Sequence, residues 1–118
     1  MARERSIPLS VVQRLGLENL LGEQKGKREE LRVWYNVRQK IRINGEERRK
    51  YLRPNGAGGM AFDDVAAEAA DSAGLFQANL TDDEIRRLIK LGDSIEFSCG
   101  MLDWMEPLLQ TLEAKPAD

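Results

Sequence analysis

The stretch from Leu31 to Ile43 constrains the fold more than any other. Its odd positions are Leu31, Val33, Tyr35, Val37, Gln39, Ile41 and Ile43, and its even positions are Arg32, Trp34, Asn36, Arg38, Lys40 and Arg42. All the odd residues but Gln39 are apolar or aromatic, and β-branched side chains are frequent. Alternation with period 2 in such a composition predicts a half-buried strand with its cations on one face. Asn44-Gly45 follows, the dipeptide best suited to a two-residue hairpin turn because both positions must accept positive φ. Residues 46–53 are then the return strand. Such a turn pairs Ile43 with Glu46, Ile41 with Arg48, Gln39 with Lys50 and Val37 with Leu52, which sets charges beside apolar residues. Three alternatives follow: a solvated arm, a longer loop with shifted register, or a short helix over 46–52.

Helical signals flank this segment. Ser6 is a candidate N-cap with Pro8 in the first turn, and Leu9, Val12, Leu15, Leu17, Leu20 and Leu21 follow near helical spacing. Gly16 weakens the middle of that segment or divides it. Pro54-Asn55-Gly56-Ala57-Gly58-Gly59 is a loop by composition. An alanine-rich helix is expected from Ala61 to Ser72, with Asp63 and Asp64 in its first turn and Gly74 at its end. Thr81-Asp82-Asp83-Glu84 is a capping box in front of Ile85, Leu88, Ile89 and Leu91, and Gly92 is expected to stop that helix. Asp93 and Glu96 are positioned to cap a last helix, interrupted by Gly100 and Pro107. The competing reading for residues 94–99 makes Ile95, Phe97 and Cys99 a short strand. The predicted architecture is α+β within one domain, 1–118: an N-terminal helical segment, a basic β-hairpin, then three C-terminal helices. It divides into a basic half (1–53), a glycine-rich connector (54–60), an acidic helical half (61–114) and a frayed tail (115–118).

The net charge of −2 conceals a division between the halves. Residues 1–53 hold 14 Lys/Arg against 7 Asp/Glu, and residues 54–118 hold 4 against 13. Either the halves attract each other, or the basic one serves a polyanionic partner. The absence of histidine removes Ser-His-Asp and Cys-His nucleophile systems and histidine metal ligands. Asp63/Asp64/Glu68, Asp82/Asp83/Glu84 and Asp93/Glu96 are carboxylate clusters, but most occupy positions where helix starts favour negative charge. Cys99, the single cysteine, cannot form an internal disulfide and has no cationic residue near it in sequence, so a buried, inert thiol in a reducing compartment is expected. The glycine loop lacks the Lys and Ser/Thr of a P-loop and reads as a connector. No apolar run spans a membrane, and Met1–Ser6 lacks the apolar core of a secretory signal.

These features predict a non-enzymatic macromolecular interaction protein: a small cytoplasmic accessory, assembly or inhibitor factor without metal or cofactor. Its expected partner surface is the hairpin face carrying Arg32, Trp34, Arg38, Lys40, Arg42 and Arg49. The alternative is a nucleic-acid binder using the same ribbon, since a two-stranded ribbon fits a major groove. Homodimerisation is expected through a C-terminal stripe of Met101, Trp104, Met105, Leu108 and Leu112.

Overall fold

Asn44 starts a helix instead of turning a hairpin, and that difference redirects the chain from residue 28 to residue 51. A computed structural model describes residues 4–54 and 56–114. In it Arg28–Ile41 is helix α2 and Gly45–Tyr51 is helix α3, the two joined in the order α2–α3. Helix α1 covers Val11–Gly22. The expected basic hairpin over 31–53 is therefore overturned, and the short helix weighed for 46–52 is close to what forms.

The physical reason is that two periodicities coexist in residues 31–43. Leu31, Trp34, Val37 and Ile41 also recur at helical spacing, on one stripe. Val37 and Ile41 are completely buried, and Trp34 packs partly buried against the same core. Tyr35, an apolar-face residue in the strand reading, is 59% exposed. A return strand would have set Arg48 and Lys50 beside Ile41 and Gln39. As a helix, α3 instead turns Arg49 and Lys50 to solvent. Ile43, just past α2, is buried in a second, smaller core with Val11, Tyr51 and Ala67.

The strands lie elsewhere. Strand β1 (Glu4–Leu9) pairs antiparallel with β4 (Phe76–Thr81), with Glu4 opposite Thr81 and Leu9 opposite Phe76. Ile7, Leu9, Ala78 and Leu80 all face the main core. Ser6 is thus a strand residue, and the true cap of α1 is Ser10, whose hydroxyl accepts from Gln13 N at 3.1 Å while Gln13 Oε1 accepts from Ser10 N at 2.9 Å. Strands β2 (Leu52–Pro54) and β3 (Met60–Phe62) form a small antiparallel hairpin. Its turn is the glycine-rich stretch, where Gly56 and Gly58 take φ of +80° and +84°. Those left-handed values are what a side chain resists and glycine does not.

The acidic half is mostly helical, as expected. Helix α4 (Asp64–Ala73) is capped by Asp63, whose carboxylate accepts from Ala66 N at 3.0 Å, and it ends at Gly74. Helix α5 (Asp82–Ser94) starts with the Thr81–Glu84 capping box. It runs through Gly92, which is there because Leu109 of the next helix lies where a Cβ would be, at 2.7 Å. Residues 95–98 form neither strand nor helix, and Ser98, not Asp93, caps α6 (Cys99–Glu113), which carries Pro107 within it. Cys99 is exposed, contrary to expectation, because it opens α6 at the surface. Lys115–Asp118 lie outside the described residues.

Among the described residues, two sheets and six helices make a mixed α+β fold. The main core draws on β1, β4, α1, α2, α5 and α6, with Leu9, Leu17, Ile41, Leu80, Leu88, Met105 and Leu108 fully buried. Each such side chain contributes about 1.5–3 kcal/mol of transfer free energy. This corrects the self-association stripe: Met105, Leu108 and Leu112 are 1%, 2% and 4% exposed and are covered by the chain itself. Met101 is half-buried, and Trp104 is partly buried with its indole laid on Gly16, where a Cβ would stand 2.5 Å from Cε2. Gly16 thus permits a close helix approach and does not divide α1. No helix among the described residues is long and apolar enough to cross a membrane.

Candidate functional site

The basic half spends much of its charge inside the fold. Arg14 is 2% exposed. Its Nε donates to Ile41 O at 3.0 Å and one Nη to Arg42 O at 2.7 Å, which satisfies carbonyls at the end of α2. The same guanidinium holds both oxygens of Glu47, at 2.6 and 3.2 Å, and lies 3.8 Å from the centroid of Phe76. The hydrogen bond from Arg14 holds the Glu47 carboxyl below its ordinary pKa, although burial pushes the other way. Nothing in the sequence pattern marked Arg14, because a buried arginine looks like an exposed one until its partners are known.

Two of the expected partner-binding residues are locked in the same manner. Arg38 is half-buried, donates from Nε to Glu18 O at 3.0 Å and packs on Gly22. Lys40 donates to Glu84 Oε1 at 2.6 Å, with Glu4 at 3.7 Å. Trp34 is packed against the core. Lys40–Glu84, Arg5–Asp82 at 2.8 Å and Arg53–Asp63 at 3.1 Å all join the basic half to the acidic half. The attraction between halves is therefore partly internal.

What stays free is one face of α2. Arg28, Arg32, Tyr35, Gln39 and the C-cap Arg42 follow at i, i+4, i+7, i+11 and i+14, all exposed. At 100° per residue they fall within about 80° of arc, along about 21 Å of helix. Asn36 and Glu29 lie exposed beside one another, about 40° and about 60° beyond one edge of the arc, and Glu30 lies farther round. None of Arg28, Arg32, Tyr35 and Arg42 has a side-chain hydrogen bond or ion pair among the described residues. Arg49 is likewise exposed and unpaired on α3. Of the six residues expected on the hairpin, Arg32, Arg42 and Arg49 thus remain available. Arg28, Tyr35, Asn36 and Gln39 were missed, and the signal for them was the helical spacing of polar residues from 28 to 42.

Several of the carboxylates named as candidates for chemistry are used by the fold, whereas Asp64, Glu68, Asp93 and Glu96 lie exposed. Asp63 caps α4, Glu84 caps α5, and Asp83 holds Arg86 and Arg87 at 3.4 and 2.8 Å. No three His, Cys, Asp or Glu side chains come together as a metal site among the described residues. A surface cavity of about 630 Å³ lies beside α5 and the end of α6, lined by Arg5, Asp82, Arg86, Ile85, Ile89 and Leu112. With Glu113 also in its lining, it holds cations and two carboxylates but no thiol or hydroxyl nucleophile. Comparison with protein-family models, curated proteins and solved structures finds no match to this chain.

Proposed function

We propose that this protein is a non-enzymatic interaction module that docks an acidic macromolecular surface on the outward face of α2. The observation that supports this is the single stripe Arg28, Arg32, Tyr35, Gln39 and Arg42, exposed and with no side-chain hydrogen bond or ion pair among the described residues. Three arginines and a largely exposed tyrosine are the side chains that dominate binding energies at interfaces. Their charge is not used by the fold, whereas that of Arg14, Arg38 and Lys40 is. A rigid helix carries the stripe, so little conformational entropy is lost on docking. The lack of histidine and the structural use of Asp63, Asp83 and Glu84 support a role without catalysis.

Self-association in this reading uses the apolar surface left after the C-terminal stripe is buried. Val12, Leu15, Gly16, Phe62 and Trp104 surround a depression of about 160 Å³.

Affinity capture from the native host, with the protein beside an Arg32→Glu/Arg42→Glu variant, tests the docking face. Both positions are solvent-exposed, so the variant is expected to fold. Partners retained by the wild type and lost by the variant are the expected result. An identical set of partners on both would remove the face from consideration.

A further inference from the structure

We infer that the acidic surface met by α2 is B-form DNA, with the helix lying in the major groove. This rests on the α2 face being the docking surface and specifies what it docks. Charge is the first reason. Three unpaired arginines on one face, with Lys25 and Lys27 exposed just before the helix, suit a regularly spaced polyanion.

Shape is the second. An α-helix with its side chains is about 10–12 Å across, and the B-DNA major groove is about 12 Å wide. The face is long enough for Arg28 and Arg42, at its two ends, to reach phosphates on opposite sides of the groove. Side-chain chemistry is the third. Between those ends stand Arg32 and Gln39, residue types that make bidentate contacts to guanine and adenine edges, with Asn36 to one side of the face.

Single strands fit less well. Stacking on unpaired bases needs several aromatic platforms, and Tyr35 is the only exposed aromatic on this face, since Trp34 is packed into the fold. Duplex RNA fits less well again, because its major groove is too narrow for a helix. Whole-chain charge opposes binding, so a modest, salt-sensitive affinity is expected.

Fluorescence anisotropy of the full chain tests this with four probes: a labelled mixed-sequence DNA duplex of 20 base pairs, the matching RNA duplex, single-stranded DNA, and labelled poly-L-glutamate. Binding to the DNA duplex ahead of the other three is expected. The two phosphate contacts, from Arg28 and Arg42, give a fall of about 7-fold in affinity between 50 and 150 mM salt. Arg42→Ala should weaken binding and reduce the salt slope by about 1, whereas Arg32→Ala should cost roughly tenfold and relax sequence preference. Poly-L-glutamate bound in place of DNA, and lost on Arg32→Ala, would overturn the DNA assignment while leaving α2 as the docking face. DNA binding untouched by both substitutions would overturn the assignment to α2. No binding of any probe at 50 mM salt overturns the inference and the docking reading together.

Discussion

Two helices of this protein begin with the same reciprocal geometry. At α5, Thr81 Oγ1 accepts from Glu84 N at 3.1 Å and Glu84 Oε1 accepts from Thr81 N at 2.9 Å. At α3, Asn44 Oδ1 accepts from Glu47 N at 2.8 Å and Glu47 Oε1 accepts from Asn44 N at 3.2 Å. Each glutamate also receives a cation from another helix, Lys40 of α2 for Glu84 and Arg14 of α1 for Glu47. The difference lies in what else supports the helix. α5 has 13 residues, two further acids in its first turn, and Ile85, Leu88 and Leu91 buried along it. α3 has seven residues and buries only Tyr51. A helix of that length does not stand alone in water, so α3 depends on what Arg14 ties to it.

The largest expected effect follows from that dependence. Arg14→Ala leaves Glu47 and the carbonyls of Ile41 and Arg42 without their donor, and should cost about 3 kcal/mol or more. Lys40→Ala removes a cation that is one-third exposed, and Glu84 keeps its bond to Thr81 N, so about 1 kcal/mol is expected. Urea unfolding of the two variants checks the ratio. Equal losses would mean that α3 needs no external tie.

The caps themselves come next. Thr81→Ala and Asn44→Ala should each cost about 1 kcal/mol. Hydrogen exchange separates them, because loss of the Asn44 cap should raise exchange within α3 alone. Loss of the Thr81 cap should instead lower the stability of the whole fold, since α5 is part of the main core.

A smaller effect depends on pH. Glu47 has its pKa lowered from an unfolded value of 4.5, first by the Arg14 hydrogen bond and then by the Asn44 amide and the nearby positive charges, against burial. A depressed pKa gives stability that is complete above the unfolded value and is lost as pH falls through the folded one. Between pH 6 and 4.5 the contribution of this pair should be nearly constant, and below 4.5 it should decline. In Glu47→Gln that decline should be absent, which stability measurements at pH 6, 4.5 and 3.5 would show. Identical profiles below 4.5 would detach Glu47 from the acid side of the stability curve.

The same two helix starts explain what the sequence could and could not reveal. Thr81-Asp82-Asp83-Glu84 was legible because threonine, two acids and a helical stripe all indicate the same structure. Gly74 marked the end of α4, but its start was placed at Ala61, whereas Ala61 and Phe62 belong to β3 and Asp63 is the N-cap. Asn44-Gly45 was misread because it also satisfies hairpin chemistry, and residues 31–43 satisfy period 2 as well as helical spacing. The tie-break is tertiary: Val37 and Ile41 must both reach the core formed by α1 and the β1–β4 sheet, and only the helix puts them on one side with Trp34. The β1–β4 sheet itself was invisible, since its strands are separated by more than sixty residues and each is only six residues long. For the site, Arg32, Arg42 and Arg49 were found by charge alone. Arg38 and Lys40 could not be distinguished from them, because their partners Glu18 and Glu84 lie 20 and 44 residues away.

The smallest effect is the sharpest discriminator, because its sign decides. Gly45 is the second residue of the Asn-Gly pair. In a type I′ hairpin it needs positive φ, and alanine there would be strained and destabilising. In α3 it is the first helical residue, its φ is not positive, and a Cβ built on it meets nothing within 4 Å. Alanine then removes backbone freedom from the unfolded chain and improves helix propensity without a clash. Gly45→Ala is therefore expected to stabilise the protein by about 0.5 kcal/mol. Thermal unfolding should show a small rise in midpoint, a few degrees at this chain length. A fall in midpoint would mean that residues 44 and 45 turn a hairpin after all, and the α2 face would no longer exist in the form described.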